Sequence, residues 1–156
     1  MFFYNKVVRI IDGDTIDVQK YFVGIKVGPR VRVRLARVDC PELRPHIGTP
    51  HRQRHIDAAV TASQAVMAKC LNKRVNIIVV KKTDLYGRTI AEVELCSSSI
   101  CCCCCCCQKQ NQKQQNISDW LINNKLGRQW NKGQTRRQEW TYDELDAAIC
   151  ARNRLF

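Results

Sequence analysis

The chain has 156 residues, of which 45% are hydrophobic, and its 26 Lys and Arg against 14 Asp and Glu give a formal net charge of +12. This size suits one globular domain over residues 1–156 with a sizeable core, and no apolar run reaches the ~20 residues needed to span a bilayer. The charge favours a polyanionic partner, with nucleic acid first and an anionic membrane surface second, although excess Lys and Arg also simply keep a protein soluble.

The N-terminus and the cysteines indicate a reducing environment. The first six residues show no cationic region followed by an apolar block, so no secretory signal is recognised and an intracellular location with free thiols is expected. Seven of the eleven cysteines form one block, residues 101–107, and no C-x-x-C pair exists outside it. The cysteine spacing therefore predicts neither a disulfide framework nor a zinc site of spaced cysteine pairs. The block is interpreted as an insertion without a role, with soft-metal capture and acylation as alternatives.

The first third of the chain is typical of an antiparallel meander. Strands are predicted over residues 7–11, 15–18, 22–27 and 30–34, with a turn at residues 12–14 and a break at Gly28-Pro29. Residues 30–34 alternate between Arg and Val, which places valines on one face and arginines on the other.

Helical periodicity begins after a loop over residues 43–53. A helix is predicted over residues 54–71. Its expected inner face consists of Ile56, Ala59, Val60, Ser63, Val66, Met67, Cys70 and Leu71.

Strands over residues 75–80 and 89–95 follow, separated by a turn. Residues 96–116, rich in Ser, Cys and Gln, are interpreted as an inserted loop because they have no periodicity and little to bury. A helix over residues 117–126 is expected to stop at Gly127. A basic linker over residues 128–138 leads to a last helix that Thr141 and Glu144 begin with a capping box. About five strands and three helices predict an α+β protein, with an OB-fold β-barrel carrying packed helices.

Three separated segments place acids and arginines where strands meet loops. They are Asp12-Gly13-Asp14-Thr15, the stretch from Arg34 to Glu42, and Asp84-Leu85-Tyr86-Gly87-Arg88. Each segment alone is a common turn or surface ion pair. Hairpin ends of a small barrel can converge on one rim, and carboxylates, planar guanidinium groups and a spare acid are together suited to phosphodiester hydrolysis.

These motifs, in this order, resemble those of the staphylococcal nuclease-like (thermonuclease) family. The matching residues are Val8-Arg9-Ile10-Ile11-Asp12-Gly13-Asp14-Thr15, Arg34-Leu35-Ala36-Arg37-Val38-Asp39-Cys40-Pro41-Glu42 and Asp84-Leu85-Tyr86-Gly87-Arg88, and the segment from Trp120 to Gly127 resembles the family's following helix. The resemblance covers roughly residues 6–130. It implies a Ca²⁺-dependent endonuclease, with Mg²⁺ less favoured, that hydrolyses DNA and RNA with little sequence specificity and leaves 3′-phosphate ends.

The resemblance also implies roles by position. Asp14, Asp39 and the backbone carbonyl of Cys40 match calcium ligands, while Asp12 matches an acid that acts through water. Glu42 matches the proposed general base. Arg34 and Arg88 match the arginines that stabilise the transition state.

Some positions depart from the family pattern. Leu85 stands where the type member has a phosphate-contacting lysine, and its flanking tyrosines are not clearly matched. Tyr86 and Trp130 are the candidate substrate contacts, with Trp140 less favoured for base stacking and core packing the alternative for each tryptophan.

Two further alternatives are open. A zinc site of His46, His51 and His55 is disfavoured against solvated histidines in a polar loop. A non-catalytic nucleic-acid-binding module on the same fold is the second functional hypothesis. A monomer without an obligate protein partner is expected.

Overall fold

The computed structural model describes residues 3–96, 114–131 and 139–156. The strands are β1 (Phe3–Asp12), β2 (Thr15–Phe22), β3 (Ile25–Leu35), β4 (Val38–Asp39), β5 (Arg74–Lys81), β6 (Thr89–Leu95), β7 (Gln115–Asn116) and β8 (Arg128–Gln129). The helices are α1 (Arg52–Cys70), α2 (Ile117–Asn123), α3 (Tyr142–Cys150) and α4 (Arg152–Leu155). The cysteine block, residues 101–107, which is interpreted as part of an insertion, lies outside the described residues.

Five strands close into a barrel. They run in the order β3-β2-β1-β5-β6, and β3 also pairs in parallel with β6, with Arg34 opposite Ile90. The short strand β7 extends the sheet beside β6, and β4 pairs separately with β8. Closure removes the open edges of the sheet. The predicted α+β architecture, an OB-type barrel with packed helices, is confirmed.

The barrel and the helices enclose two clusters of buried apolar side chains. The larger one fills the barrel and continues under α2, where Leu121 and Leu126 are fully buried. The smaller one joins α1 to α3 and contains Trp140, which is 7% exposed. Trp140 is therefore a core residue rather than a base-stacking platform. None of the described helices is long and apolar enough to cross a membrane.

The predicted inner face of α1 was partly wrong. Val60 and Met67 are exposed, whereas the buried face is built mainly from alanines and also includes His55 and Thr61. Small side chains were undervalued because periodicity of large apolar residues was the signal. A Cβ added at Gly13 would lie 3.0 Å from the Ala62 Cβ, so the helix lies unusually close to the barrel.

The expected strand break at Gly28-Pro29 is absent from the described chain. Strand β3 runs through both residues, because Gly28 adopts a φ of +69° that only glycine takes easily and the ladder with β2 shifts register there. The alternation predicted for residues 30–34 places Val31 and Val33 on one face of β3, and both line the same depression. Val33 is buried, whereas Val31 is 43% exposed.

Two boundaries near the insertion differ from expectation. Residues 115–116 belong to β7, and the Asn116 side chain caps α2 by accepting hydrogen bonds from Ser118 and Asp119. Gly127 does not end that helix, because the left-handed residue is Lys125, with a φ of +61°. The capping box of Thr141 and Glu144 at the start of α3 is confirmed.

Gly127 is instead required by a close approach to β4. A Cβ at this position would lie 2.6 Å from Val38 Cγ2 and 3.0 Å from the Cys40 sulfur. We therefore expect Gly127→Ala to lower the free energy of unfolding by about 1–3 kcal/mol, through overpacking. Chemical denaturation measures this, with Gly48→Ala as the control, since a Cβ at Gly48 would meet nothing within 4 Å. Equal stabilities of the two variants would contradict the close approach.

Candidate functional site

Two buried carboxylates converge on one guanidinium. Asp14 lies in the turn between β1 and β2, and Asp39 ends β4; they are 2% and 1% exposed. Arg34, near the end of β3, forms an ion pair with Asp14 and places Nη2 3.4 Å from Asp39 Oδ1. Burial alone would lower the pKa of Arg34, but the two carboxylates outweigh it and the pKa is raised. Arg34 therefore stays charged at any working pH.

The Asp14 carboxylate is fixed by short-range hydrogen bonds as well. It accepts the backbone N–H of Cys40 at 3.0 Å and the Thr15 hydroxyl at 3.1 Å. Burial raises the pKa of the Cys40 thiol well above its ordinary value, so this side chain is a neutral packing group. Of the predicted site residues, Cys40 is the one that lies behind the others, where a Cβ added at Gly13 or at Gly127 would come within 3.0 Å of its side chain.

Arg128 is a charged partner of this site that the sequence did not reveal. Its Nε and Nη2 atoms lie 3.3 and 3.2 Å from Asp39 Oδ2, and its guanidinium lies 4.4 Å from the centre of the Trp140 ring. The Asp39 carboxylate is thus held between Arg34 and Arg128. Arg128 was assigned to a basic linker because the two-residue pairing of β4 with β8 has no sequence pattern.

The donor chemistry of this cluster fits a hard cation. Asp14 and Asp39 offer carboxylate oxygens, the ligand type that Ca²⁺ and Mg²⁺ prefer, and both already converge on a cationic group. Among the described residues, no group of three or more His, Cys, Asp or Glu side chains is placed to hold a metal ion. A cation here would therefore take its remaining ligands from main-chain carbonyls, such as that of Cys40, and from water.

Glu42 lies on the loop after β4 and is half-buried. Its backbone carbonyl lies 3.3 Å from Nδ1 of His55, a contact that requires the proton on Nδ1. His55 is buried in α1, against the expectation of a solvated loop histidine, and desolvation lowers its pKa. We read His55 as an anchor that ties the Glu42 loop to α1.

One cleft brings most of the predicted residues together. Its volume is about 990 Å³, and it opens at the rim where β1, β3 and the β5–β6 turn meet. The predicted site residues that line it are Asp12, Asp14, Arg34, Asp39, Glu42, Tyr86, Arg88 and Trp130.

The β5–β6 turn presents Arg88 and Tyr86 to this cleft. Asp84 accepts backbone N–H groups of Tyr86 and Arg88, each at 2.9 Å, and pairs with the Arg88 guanidinium at 2.8 Å. The Tyr86 ring is 81% exposed, with the Arg88 guanidinium 5.2 Å from its centre. The turn therefore holds a guanidinium and an open aromatic face at a fixed relative position.

The Asp84–Arg88 pair predicts an acid-dependent share of stability. Burial would raise the pKa of Asp84, but the hydrogen bonds and charge of Arg88 and the N–H of Tyr86 lower it below its ordinary value of 3.8. The stabilisation is thus fully present above pH ~4 and is lost as pH falls through the lowered pKa. In urea unfolding from pH 6 to pH 2, we expect the stability difference between the wild type and Asp84→Asn to shrink below pH ~4. A stability difference between the two proteins that stays constant with pH would contradict the lowered pKa of Asp84.

Comparisons with protein-family models and with curated proteins both find matches to this chain. The protein-family model described as "Staphylococcal nuclease homologue" matches residues 32–152. Among curated proteins, "Micrococcal nuclease" of Shigella flexneri is 38% identical over 91 residues, and "Protein ParB" of Escherichia coli is 40% identical over 89 residues. These alignments cover 58% and 57% of this chain and 42% and 40% of the relatives. The chain thus spans less than half the length of the curated relatives that it matches.

Proposed function

Since the chain belongs to the staphylococcal nuclease homologue family, we propose that it is a nuclease that hydrolyses phosphodiester bonds in DNA, RNA or both, with little sequence specificity. The observation that carries this proposal is the single cleft that brings Asp14, Arg34, Asp39, Glu42 and Arg88 together from distant parts of the chain. The net charge of +12 is consistent with a polyanionic substrate.

Each side chain has a chemical role in this proposal. Arg34 and Arg88 bind the oxygens of the scissile phosphate and stabilise the charge that develops on them. Glu42 accepts a proton from the attacking water. The oxygen of that water then forms the new bond to phosphorus while the bond to the 5′ oxygen breaks. The 5′ oxygen leaves with the bonding electrons and takes up a proton from solvent, which gives a 3′-phosphate end and a 5′-hydroxyl end. Tyr86 and Trp130 offer aromatic faces to the neighbouring bases.

We propose Ca²⁺ as the cofactor, with Mg²⁺ less suited because it demands stricter geometry. Asp14, Asp39 and the Cys40 carbonyl would hold it, with Asp12 acting through water. Bound there, the ion would supply Lewis-acid stabilisation of the phosphate. Arg128 supports the arrangement by holding the Asp39 carboxylate from the opposite side.

One observation favours a second candidate, a nucleic-acid-binding module without catalysis. Both arginines that would bind the phosphate are paired with carboxylates of this chain, Arg34 with Asp14 and Asp39 and Arg88 with Asp84. Catalysis requires the substrate phosphate to compete with these carboxylates for the two guanidinium groups. Binding without catalysis does not require either guanidinium group.

Cleavage assays on single-stranded DNA and on RNA, with Ca²⁺ or with a chelator, distinguish the two candidates. A nuclease should cut with Ca²⁺, stop on chelation and lose about 10²–10⁴-fold in rate in Glu42→Gln. The control is Glu94→Gln, a change outside the cleft that should cut like the wild type. Cutting that survives chelation and Glu42→Gln would overturn the proposal, and binding without cutting would favour the module. End-group analysis tests the 3′-phosphate.

A further inference from the structure

A second, basic groove lies beside the candidate active cleft, on the outer face of β1, β2 and β3. It has a volume of about 340 Å³ and is lined by Arg9, Asp17, Arg30, Arg32, Tyr86 and Gly87. Arg9 and Tyr86 also line the larger cleft, so the two depressions share a wall. None of the three other charged residues of the groove has a role in the proposed chemistry.

The strand register explains why these charges form a row. Asp17 of β2 is paired with Arg9 of β1 on one side and with Arg32 of β3 on the other. Because neighbouring strands are about 4.8 Å apart, the two arginines are roughly 10 Å apart across the sheet. Arg30 is two residues before Arg32 and points to the same face of β3. Three arginines and one aspartate leave the groove with a formal charge of +2.

The charges of the groove are unequally engaged. Arg32 donates from Nε to Asp17 at 2.9 Å, which fixes its guanidinium. Arg9 and Arg30 are exposed and form no ion pair or side-chain hydrogen bond with any residue in the described ranges. Two guanidinium groups are therefore available to an anion at the edge of the groove, on a surface that the barrel holds rigid.

We propose that this groove binds the phosphodiester backbone of the nucleic acid next to the scissile phosphate and so extends the substrate site across the barrel. This inference rests on the proposed function for its ligand class. Tyr86, open to solvent where the cleft meets the groove, would stack on the base at the junction. Arg9 and Arg30 would then bind phosphates of the strand that leaves the cleft.

The test measures binding without cleavage, so that its result is independent of the proposed catalysis. Fluorescence anisotropy of a labelled 20-nucleotide single-stranded DNA is recorded in chelator over a range of salt concentrations. The variant is Arg9→Gln/Arg30→Gln, which removes no described intramolecular partner. The control is Arg152→Gln/Arg154→Gln, an equal change of charge on exposed residues of α4.

We expect the groove variant to bind at least about 10-fold more weakly than the control. Its slope of log K against log salt should be shallower by about 1.4, since each phosphate contact on a single strand contributes ~0.7. Asp17→Asn gives a change of the opposite sign, because losing the groove's one negative charge should tighten binding about threefold.

Two results would overturn the proposal that this groove binds nucleic acid. One is equal binding by the groove variant and the control, which would make these arginines solvated surface charges. The other is a wild type that does not bind the 20-nucleotide strand. A wild type that binds through the groove but never cuts, even with Ca²⁺, would instead overturn the nuclease and leave the groove standing.

Discussion

Replacing Arg34 with alanine should lower kcat/KM for single-stranded DNA by about 10³-fold, the scale expected when a guanidinium that stabilises transition-state charge is removed. Arg34→Lys should recover little, because an ammonium keeps the charge but cannot replace the planar fork that reaches Asp14 and Asp39. Steady-state cleavage rates measure both effects. The control is Arg44→Ala, an arginine that lines the same cleft and has no assigned role.

The same variant should respond more strongly to calcium. Arg34 pairs with both Asp14 and Asp39, so its removal leaves Asp39 with Arg128 and leaves the buried Asp14 carboxylate without its ion-pair partner. Added Ca²⁺ should therefore raise Tm more in Arg34→Ala than in the wild type. A cleavage rate within tenfold of the wild type would contradict the role of Arg34 in binding the phosphate. A calcium-induced rise in Tm equal to that of the wild type would contradict the inference that Arg34 and Ca²⁺ neutralise the same two carboxylates. Circular dichroism establishes that the variant is folded, and Arg34→Gln is the alternative if it is not.

Truncation of Leu121 should give a large loss of stability. Its side chain is fully buried where α2 covers the barrel core, so Leu121→Ala removes apolar contacts and leaves a cavity. We expect the free energy of unfolding to fall by about 3–4 kcal/mol. At this chain length that corresponds to a fall in Tm of roughly 10 °C.

The control for this truncation is the same chemical change on the surface. Leu85 is 98% exposed, so Leu85→Ala should change stability by less than about 0.5 kcal/mol. Urea denaturation of both variants at neutral pH makes the comparison. A loss below about 1 kcal/mol in Leu121→Ala would mean that α2 does not cover the core as described.

The sequence predicted the barrel well because its strands carry strong local signals. β-branched residues and turn motifs identify β1, β2 and β6, and the three motifs that combine acids and arginines lie at strand ends that a closed barrel brings to one rim. The candidate site residues other than Trp130 lie within these three motifs. The neighbouring residues in each motif identify these side chains, and closure of the barrel brings them into one cleft.

The errors have a common physical origin in tertiary contacts. The buried face of α1 was predicted from large apolar residues, but that face consists mainly of alanines, and at Ala62 the close approach of Gly13 leaves room only for a small side chain. Gly127 was taken for a helix stop, whereas its lack of a side chain admits Val38 and Cys40. Arg128 reaches Asp39 through a two-residue strand pairing that no local pattern indicates. Each feature depends on a partner distant in sequence.

The parallel pairing of β3 with β6 also bears on when the site forms. Arg34 is opposite Thr15 in one ladder and opposite Ile90 in the other, so it stands at the seam where the barrel closes. Non-local pairings of this kind form late in folding, because loop closure costs entropy before the contacts compensate. Asp14 and Arg88 come to either side of Arg34 only when this seam is complete. A partly folded chain thus holds the pieces of the candidate site apart, and the site would be complete only after the final folding step.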